Sequence, residues 1–246
     1  MSIVRTAVVT GAASGIGNAV ARRLQQEGLD VLAVDRDPAG LKSLAANGMR
    51  TLAADLASPS DRDRVVNAGQ GVHALVNSAG INRLKPILEL TIDDIHEIYA
   101  VNVDAVWDLT SQIGRTMPSG AAIVNLSSSS AKLSMTTEAA VYASSKAAVL
   151  SITRSFAYAF AASNVRVNAI CPGIIDTPMQ NTVLAEVAAA REITFEALAA
   201  ERNRLIPLGR AASAEECAGA IWFLLSEDSA YMTGQAINFT GGLVMW

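Results

Sequence analysis

Tyr142 and Lys146 stand four residues apart in VYASSKAAV, inside a helical pattern, so one face of one helix would carry both. A phenol is a poor base near neutral pH, since its reference pKa is about 10. A neighbouring ammonium favours the phenolate, and the pair could then trade a proton with an alcohol or ketone oxygen. The same spacing also describes an ordinary surface pair. Upstream, the apolar run AAIVNLS leads into Ser127, Ser128, Ser129 and Ser130. A hydroxyl there, at the carboxyl end of a strand, would hold a substrate oxygen for the tyrosine. Counting alone does not choose among the four, and a polar loop accounts for some of them.

A second cluster suits phosphate. The run Val4–Thr10 passes into Gly11-Ala12-Ala13-Ser14-Gly15-Ile16-Gly17, and a helical pattern follows at once. Glycines allow a tight turn and close approach of main chain to a pyrophosphate, while the helix N-terminus offers free N–H groups. The spacing is a wider variant of the dinucleotide fingerprint. The next strand, DVLAVD, ends at Asp35, eighteen residues after Gly17. An acid about twenty residues on accepts from ribose hydroxyls and repels a 2′-phosphate, which favours NAD over NADP. Arg36 softens that preference. Asp55 and Leu56, past the third strand, would meet an adenine ring or simply close a turn.

Positioning these residues requires a sheet. Strand-length apolar runs lie at 4–10, 30–34, 50–54, 73–76, 121–127, 165–171 and 236–239, several of them unbroken, as in strands covered on both faces. Helical patterns lie near 15–27, 38–46, 58–68, 91–116, 140–162 and 213–226. The alternation predicts an α/β fold: a single Rossmann-like domain with a doubly wound, parallel seven-stranded sheet and helices on both faces. Residues 178–208 interrupt the rhythm and are read as a substrate lid, the alternative being an extra surface helix pair.

The 246 residues carry a net charge of -4 without basic clusters, which argues against a nucleic-acid partner. No window reaches the roughly 18 apolar residues of a membrane span, and a cytoplasmic protein is expected. Two cysteines, Cys171 and Cys217, and two histidines, His73 and His96, lack metal-ligand spacing, so no metal site is expected.

Together these motifs resemble the short-chain dehydrogenase/reductase family in its single-domain branch of about 250 residues, over essentially the whole chain. TGAASGIG is similar to its cofactor loop, NSAG at 77–80 to its Asn-Asn-Ala-Gly motif, and YASSK to its Tyr-x-x-x-Lys. PGIIDTPM at 172–179 is similar to the segment over the nicotinamide, and TGQAINFTGG at 233–242 to the C-terminal strand. The resemblance implies an NAD-dependent oxidoreductase in which Tyr142 is the general acid/base, Lys146 depresses its pKa, and Asn102 holds a relay water. Aligning the strand selects Ser128 as the catalytic serine, whereas the family's serine-to-tyrosine spacing selects Ser129; the strand end favours Ser128. Asn77, Ala79, Gly80, Pro172, Gly173, Ile175 and Thr177 would join Gly11, Ser14, Gly15, Ile16, Gly17, Asp35, Asp55, Leu56, Tyr142 and Lys146 around the cofactor. A homotetramer is expected, with Trp107 near an interface. Long lids in the family accompany polyols, sugars and diols, so a small-molecule secondary alcohol of that kind and its ketone are the expected substrates. The alternatives are a 3-oxoacyl-thioester ketoreductase and a non-catalytic NAD-binding regulator; an arginine among Arg191 and 202–204 facing the site would point to a hydroxy acid.

Overall fold

Residues 5–133 and 137–246 are described by a computed structural model. In chain order the elements are β1 (Thr6–Thr10), α1 (Gly15–Gln26), β2 (Asp30–Asp35), α2 (Pro38–Ala46), β3 (Arg50–Ala53), α3 (Pro59–Ala68), β4 (Ala74–Asn77) and α4 (Ile92–Tyr99). They continue with α5 (Ala105–Gly114), β5 (Ala122–Leu126), α6 (Ala140–Phe160), β6 (Arg166–Pro172), α7 (Pro178–Ala190), α8 (Phe195–Arg204), α9 (Ala214–Leu225) and β7 (Ala236–Phe239). The strands form one parallel sheet in the order β3-β2-β1-β4-β5-β6-β7. The chain moves outward from β1 to β3 and then returns to β4 on the other side of β1. That reversal opens a crevice at the carboxyl ends of β1 and β4, where Thr10 is in register with Asn77.

Alternation along each strand feeds two cores. Val8, Leu32, Leu75, Ile123 and Val167 face a layer of α3, α5 and α6, including Val65, Leu109, Ile113, Val149 and Phe156. Ala7, Val9, Val31, Val76 and Val124 face α1, α2 and α9, including Leu24, Leu41, Leu44, Ile221 and Leu224. Burial on both faces is why these strands read as unbroken apolar runs. Both cysteines are buried in the packing, and burial pushes the Cys217 thiol up to about 12. Among the described residues no helix is long and apolar enough to cross a membrane.

Two segments differ from the sequence expectation. The single helix expected at 91–116 is interrupted at Ala100–Asp104 by a π turn, which adds a residue to one turn between α4 and α5. The 178–208 interruption is a helix pair, α7 and α8, each N-capped by a threonine hydroxyl: Thr177 accepts from the Gln180 amide and Thr194 from the Ala197 amide. Leu184, Val187, Ala188 and Leu198 give the pair a small core separate from the two sheet cores. Val4, expected to open the first strand, and residues 134–136 lie outside the described residues.

Candidate active site

A cleft of about 540 Å³ runs across the carboxyl ends of the strands. At its β1 side, main chain packs on main chain. Gly11 has φ +68°, and a Cβ there would stand 2.8 Å from the Ala79 backbone. A Cβ on Gly17 would stand 2.1 Å from the Gly11 carbonyl oxygen. Only glycine permits this closeness, and it leaves the first turn of α1 open toward the cleft. Ser14 is the N-cap residue of α1 in extended backbone, and its hydroxyl makes no capping hydrogen bond. Gly15 meets Thr177 across the cleft: its Cβ would come within 3.3 Å of the threonine methyl. The Asp35 carboxylate accepts from the Ala13 amide at 2.9 Å and the Asp37 amide at 3.0 Å, so it fixes the loop while facing the cleft. This glycine-lined cradle with an acid at the end of β2 fits a dinucleotide.

At the β5 side the floor is formed by α6. Lys146 is 3 % exposed; its Nζ donates to the Leu126 carbonyl at 2.8 Å and lies 5.7 Å from the Tyr142 ring centre. Desolvation lowers the Lys146 pKa to about 8. Burial raises the Tyr142 phenol above its usual value, and a hydrogen bond with the Ser128 hydroxyl opposes that rise in part. The direction is opposite to the lowering expected from Lys146, and burial is its first cause. Ser128 is 7 % exposed and its Oγ accepts from the Ser130 amide at 3.1 Å. Ser127 lines the cleft beside it, but its hydroxyl is spent on the Lys146 carbonyl at 2.8 Å; Ser129 and Ser130 are not part of the lining.

The cleft thus brings together Gly11, Ser14, Gly15, Ile16, Gly17, Asp35, Asp55, Leu56, Ala79, Gly80, Ser128, Tyr142, Lys146, Pro172, Gly173, Ile175 and Thr177. Two expected residues stand behind it. Asn77, expected at the cofactor, is 2 % exposed and donates to Thr110 Oγ1 at 3.0 Å and Asn125 Oδ1 at 2.8 Å. With Asn125 donating to Thr153, it forms a polar rung joining β4 and β5 to α5 and α6. Asn102, expected to hold a water, is fully buried with both ends of its amide committed to protein. Its Oδ1 accepts from the Ile81 amide at 2.9 Å, and its Nδ2 donates to the Ile81 carbonyl and to Ser145 Oγ, both at 3.0 Å. Ser145 in turn donates to the Tyr142 carbonyl at 2.7 Å. Sequence reading missed Ser145, although a serine three residues after the tyrosine in a helix is placed for such back-bonding. The π turn delivers Asn102 to this position, and Gly80 makes room, since a Cβ there would stand 3.2 Å from Lys146 Nζ and 3.4 Å from Asn102 Oδ1. Among the described residues, no group of His, Cys, Asp and Glu side chains could hold a metal ion.

The family model described as enoyl-(acyl carrier protein) reductase matches residues 11–244. The chain is 35% identical to the 3-oxoacyl-(acyl-carrier-protein) reductase of Thermotoga maritima, with 98% of each chain covered. It is 32% identical to the L-xylulose reductase of Bos taurus, over 98% of this chain and 96% of that one. The solved aldohexose dehydrogenase of Thermoplasma acidophilum superposes with a TM-score of 0.87 at 29% identity, covering 98% of this chain and 94% of that one. The chain belongs to the short-chain dehydrogenase/reductase family. It is an oxidoreductase of the class that acts on CH–OH groups, and the family uses nicotinamide cofactors.

Proposed function

We propose that this enzyme interconverts a secondary alcohol of a polyol, sugar alcohol or diol with its ketone, using NAD. One observation supports the chemistry above all: Ser128, Tyr142 and Lys146 meet on the floor of the same cleft that carries the glycine cradle. Gly11, Ser14, Gly15 and Gly17 would hold the pyrophosphate, Asp35 the adenosine ribose, Asp55 and Leu56 the adenine end. Ala79, Gly80, Pro172, Gly173, Ile175 and Thr177 would line the nicotinamide end. A nicotinamide held there would supply or take up the hydride.

In the direction of reduction, the Ser128 hydroxyl holds the carbonyl oxygen and Tyr142 gives it the phenolic proton. The hydrogen bond between the phenol and the Ser128 hydroxyl supports that pairing. The Lys146 ammonium then stabilises the phenolate left behind. Oxidation runs the same path backward and needs the phenol deprotonated first, so it gains from alkaline pH. Asn102 acts through Ser145 and Ile81 as a positioning residue. The helix pair at 178–208 serves as the substrate lid, with Met179, Gln180, Thr182, Val183 and Glu186 turned to the cleft.

Polar groups in the cleft lining, Asn82, Gln180 and Thr182 among them, favour a hydroxylated substrate. Similarity to a xylulose reductase and an aldohexose dehydrogenase points the same way. The second reading, reduction of a 3-oxoacyl thioester, is favoured by the 35% identical relative and by Arg36 beside Asp35. Initial rates with NAD and NADP on polyols, diols, hydroxy acids and a 3-oxoacyl thioester decide between them. NAD-linked turnover of a polyol or diol is expected. Turnover confined to the thioester with NADPH overturns the proposal.

A further inference from the structure

Arg191, Arg202 and Arg204 do not line the cleft, so none of these guanidinium groups meets a ligand there directly. Arg202 reaches the cleft through a neighbour. Gln180 does line it, in the first turn of α7, where its backbone amide donates to the Thr177 hydroxyl at 3.3 Å. Both terminal nitrogens of Arg202, in the last turn of α8, lie within hydrogen-bonding distance of the Gln180 carboxamide, Nη2 at 3.3 Å. A guanidinium carries donors only, so the end of the carboxamide that meets it is the oxygen. The N–H donors on Nε2 are the end left over, and they make no further bond among the described residues. Arg202 is half-buried and pairs with no carboxylate among the described residues; Glu201 beside it is taken by Arg191. Burial, and after it the like charge of Arg191, lower its pKa. A desolvated cation is costly unless its donors are used, and the bonds it makes here go to one neutral oxygen.

We infer that Arg202 is a positioning residue: it holds the Gln180 carboxamide by its oxygen, so that the Nε2 donors bind an acceptor oxygen of the molecule in the cleft. The inference rests on the reading of the cleft as the site of dinucleotide and alcohol. The cation also polarises the amide it grips, which strengthens the donor end. An arginine in direct contact would select an anion, whereas an amide donor takes neutral oxygens as well. Acceptor oxygens of this kind are present on the alcohol or ketone and on the dinucleotide, and the test separates the two. A merely structural bond would tie α8 to α7 and ask nothing of Nε2.

Gln180→Glu distinguishes the two roles, because a carboxylate keeps and strengthens the contact with Arg202 but has no N–H to offer. Gln180→Leu removes donor and contact together without adding a charge, and Arg202→Met keeps the apolar stem but releases the carboxamide. Each is compared with the wild type in thermal melting, in NADH and NADPH binding by fluorescence, and in KM and kcat for the alcohol that the wild type oxidises. Both Gln180 variants are expected to lose about tenfold in one affinity, the size of one neutral hydrogen bond, with kcat changed less than about threefold. Gln180→Glu should melt at or above the wild-type temperature. Arg202→Met should lose about threefold in the same affinity, and nothing further when added to Gln180→Leu. A raised dinucleotide Kd places the oxygen on the cofactor; a rise confined to the alcohol KM places it on the substrate. Wild-type affinities in Gln180→Glu or in Arg202→Met, or a loss in Gln180→Glu that Gln180→Leu does not share, would overturn the assignment. A wild type that binds neither dinucleotide brings down the reading of the cleft instead, and that result is visible before any variant is made.

Discussion

Along the β1 side of the cleft, recognition is built from backbone: Gly11 against Ala79, Gly17 against the Gly11 carbonyl, and Asp35 tied to the Ala13 amide. Along the opposite wall, α7 offers side chains from a helix pair whose core is separate from both sheet cores. The first arrangement tolerates almost no change, because atoms already stand at contact distance. The second can alter its lining residues without disturbing the sheet. The difference separates the part that handles a constant group from the part that chooses a variable one.

The largest effect expected falls on the floor between the two walls. Tyr142→Phe should cut turnover by at least about a hundredfold while dinucleotide binding, followed by fluorescence, stays within about twofold. Near-normal turnover would remove the phenol from the chemistry. Next, Gly17→Ala places a methyl 2.1 Å from the Gly11 carbonyl oxygen, so α1 must shift. Loss of dinucleotide binding and a Tm lower by several degrees are expected; an unchanged Tm would show the backbone wall to be as yielding as the helix pair.

The third prediction concerns pH. The Lys146 value of about 8 in the folded protein lies below its ordinary 10.5, so the penalty for burying the ammonium is fully present below pH 8. Between pH 8 and 10.5 the unfolded chain binds more protons than the folded one, so stability rises with pH. Relative to Lys146→Met, the wild type should gain on the order of 2–3 kcal/mol from about pH 8 to about pH 10 by denaturant titration. A flat difference would mean that the ammonium is not desolvated.

Two smaller effects sharpen the contrast of the walls. Asp35→Asn keeps an acceptor for the Ala13 amide but removes the charge, so kcat/KM with NAD should fall about tenfold while NADP gains relative to it. Unchanged selectivity would leave the acid only its loop contact. Thr177→Ala deletes the cap of α7 at a cost of about 1 kcal/mol. A severalfold rise in substrate KM is expected with little change in Tm; a collapse of Tm would show that the helix pair supports the whole fold.

Strand positions were legible to within a residue or two at most edges, because burial on both faces writes unbroken apolar runs. The glycine loop and the Tyr142–Lys146 pair were legible for a similar reason, since short spacing on one element determines proximity. What depends on contacts between distant segments was not. Asn77 looked like a cofactor contact from its motif, but its partners, Thr110 and Asn125, come from other elements. The interruption of the helix at Ala100–Asp104 leaves no mark in the apolar periodicity. Arg166 gave no hint that its guanidinium, buried under the end of α9, bonds the carbonyls of Leu224, Leu225 and Ser226. The reversal of the phenol's expected shift has the same origin, because desolvation depends on everything packed around the ring.

The wide turn at Ala100–Asp104 has a consequence on the outside of the molecule. Removing one residue there would restore ordinary winding and swing everything after it by roughly 100°. Asn102 would turn from Ile81, and Trp107, whose ring lies edge-on to Phe156 at 5.1 Å, would lose that neighbour. A single surplus residue therefore sets the phase between an inner surface that serves the reaction and an outer one that displays a half-exposed indole, and neither can be re-indexed without the other.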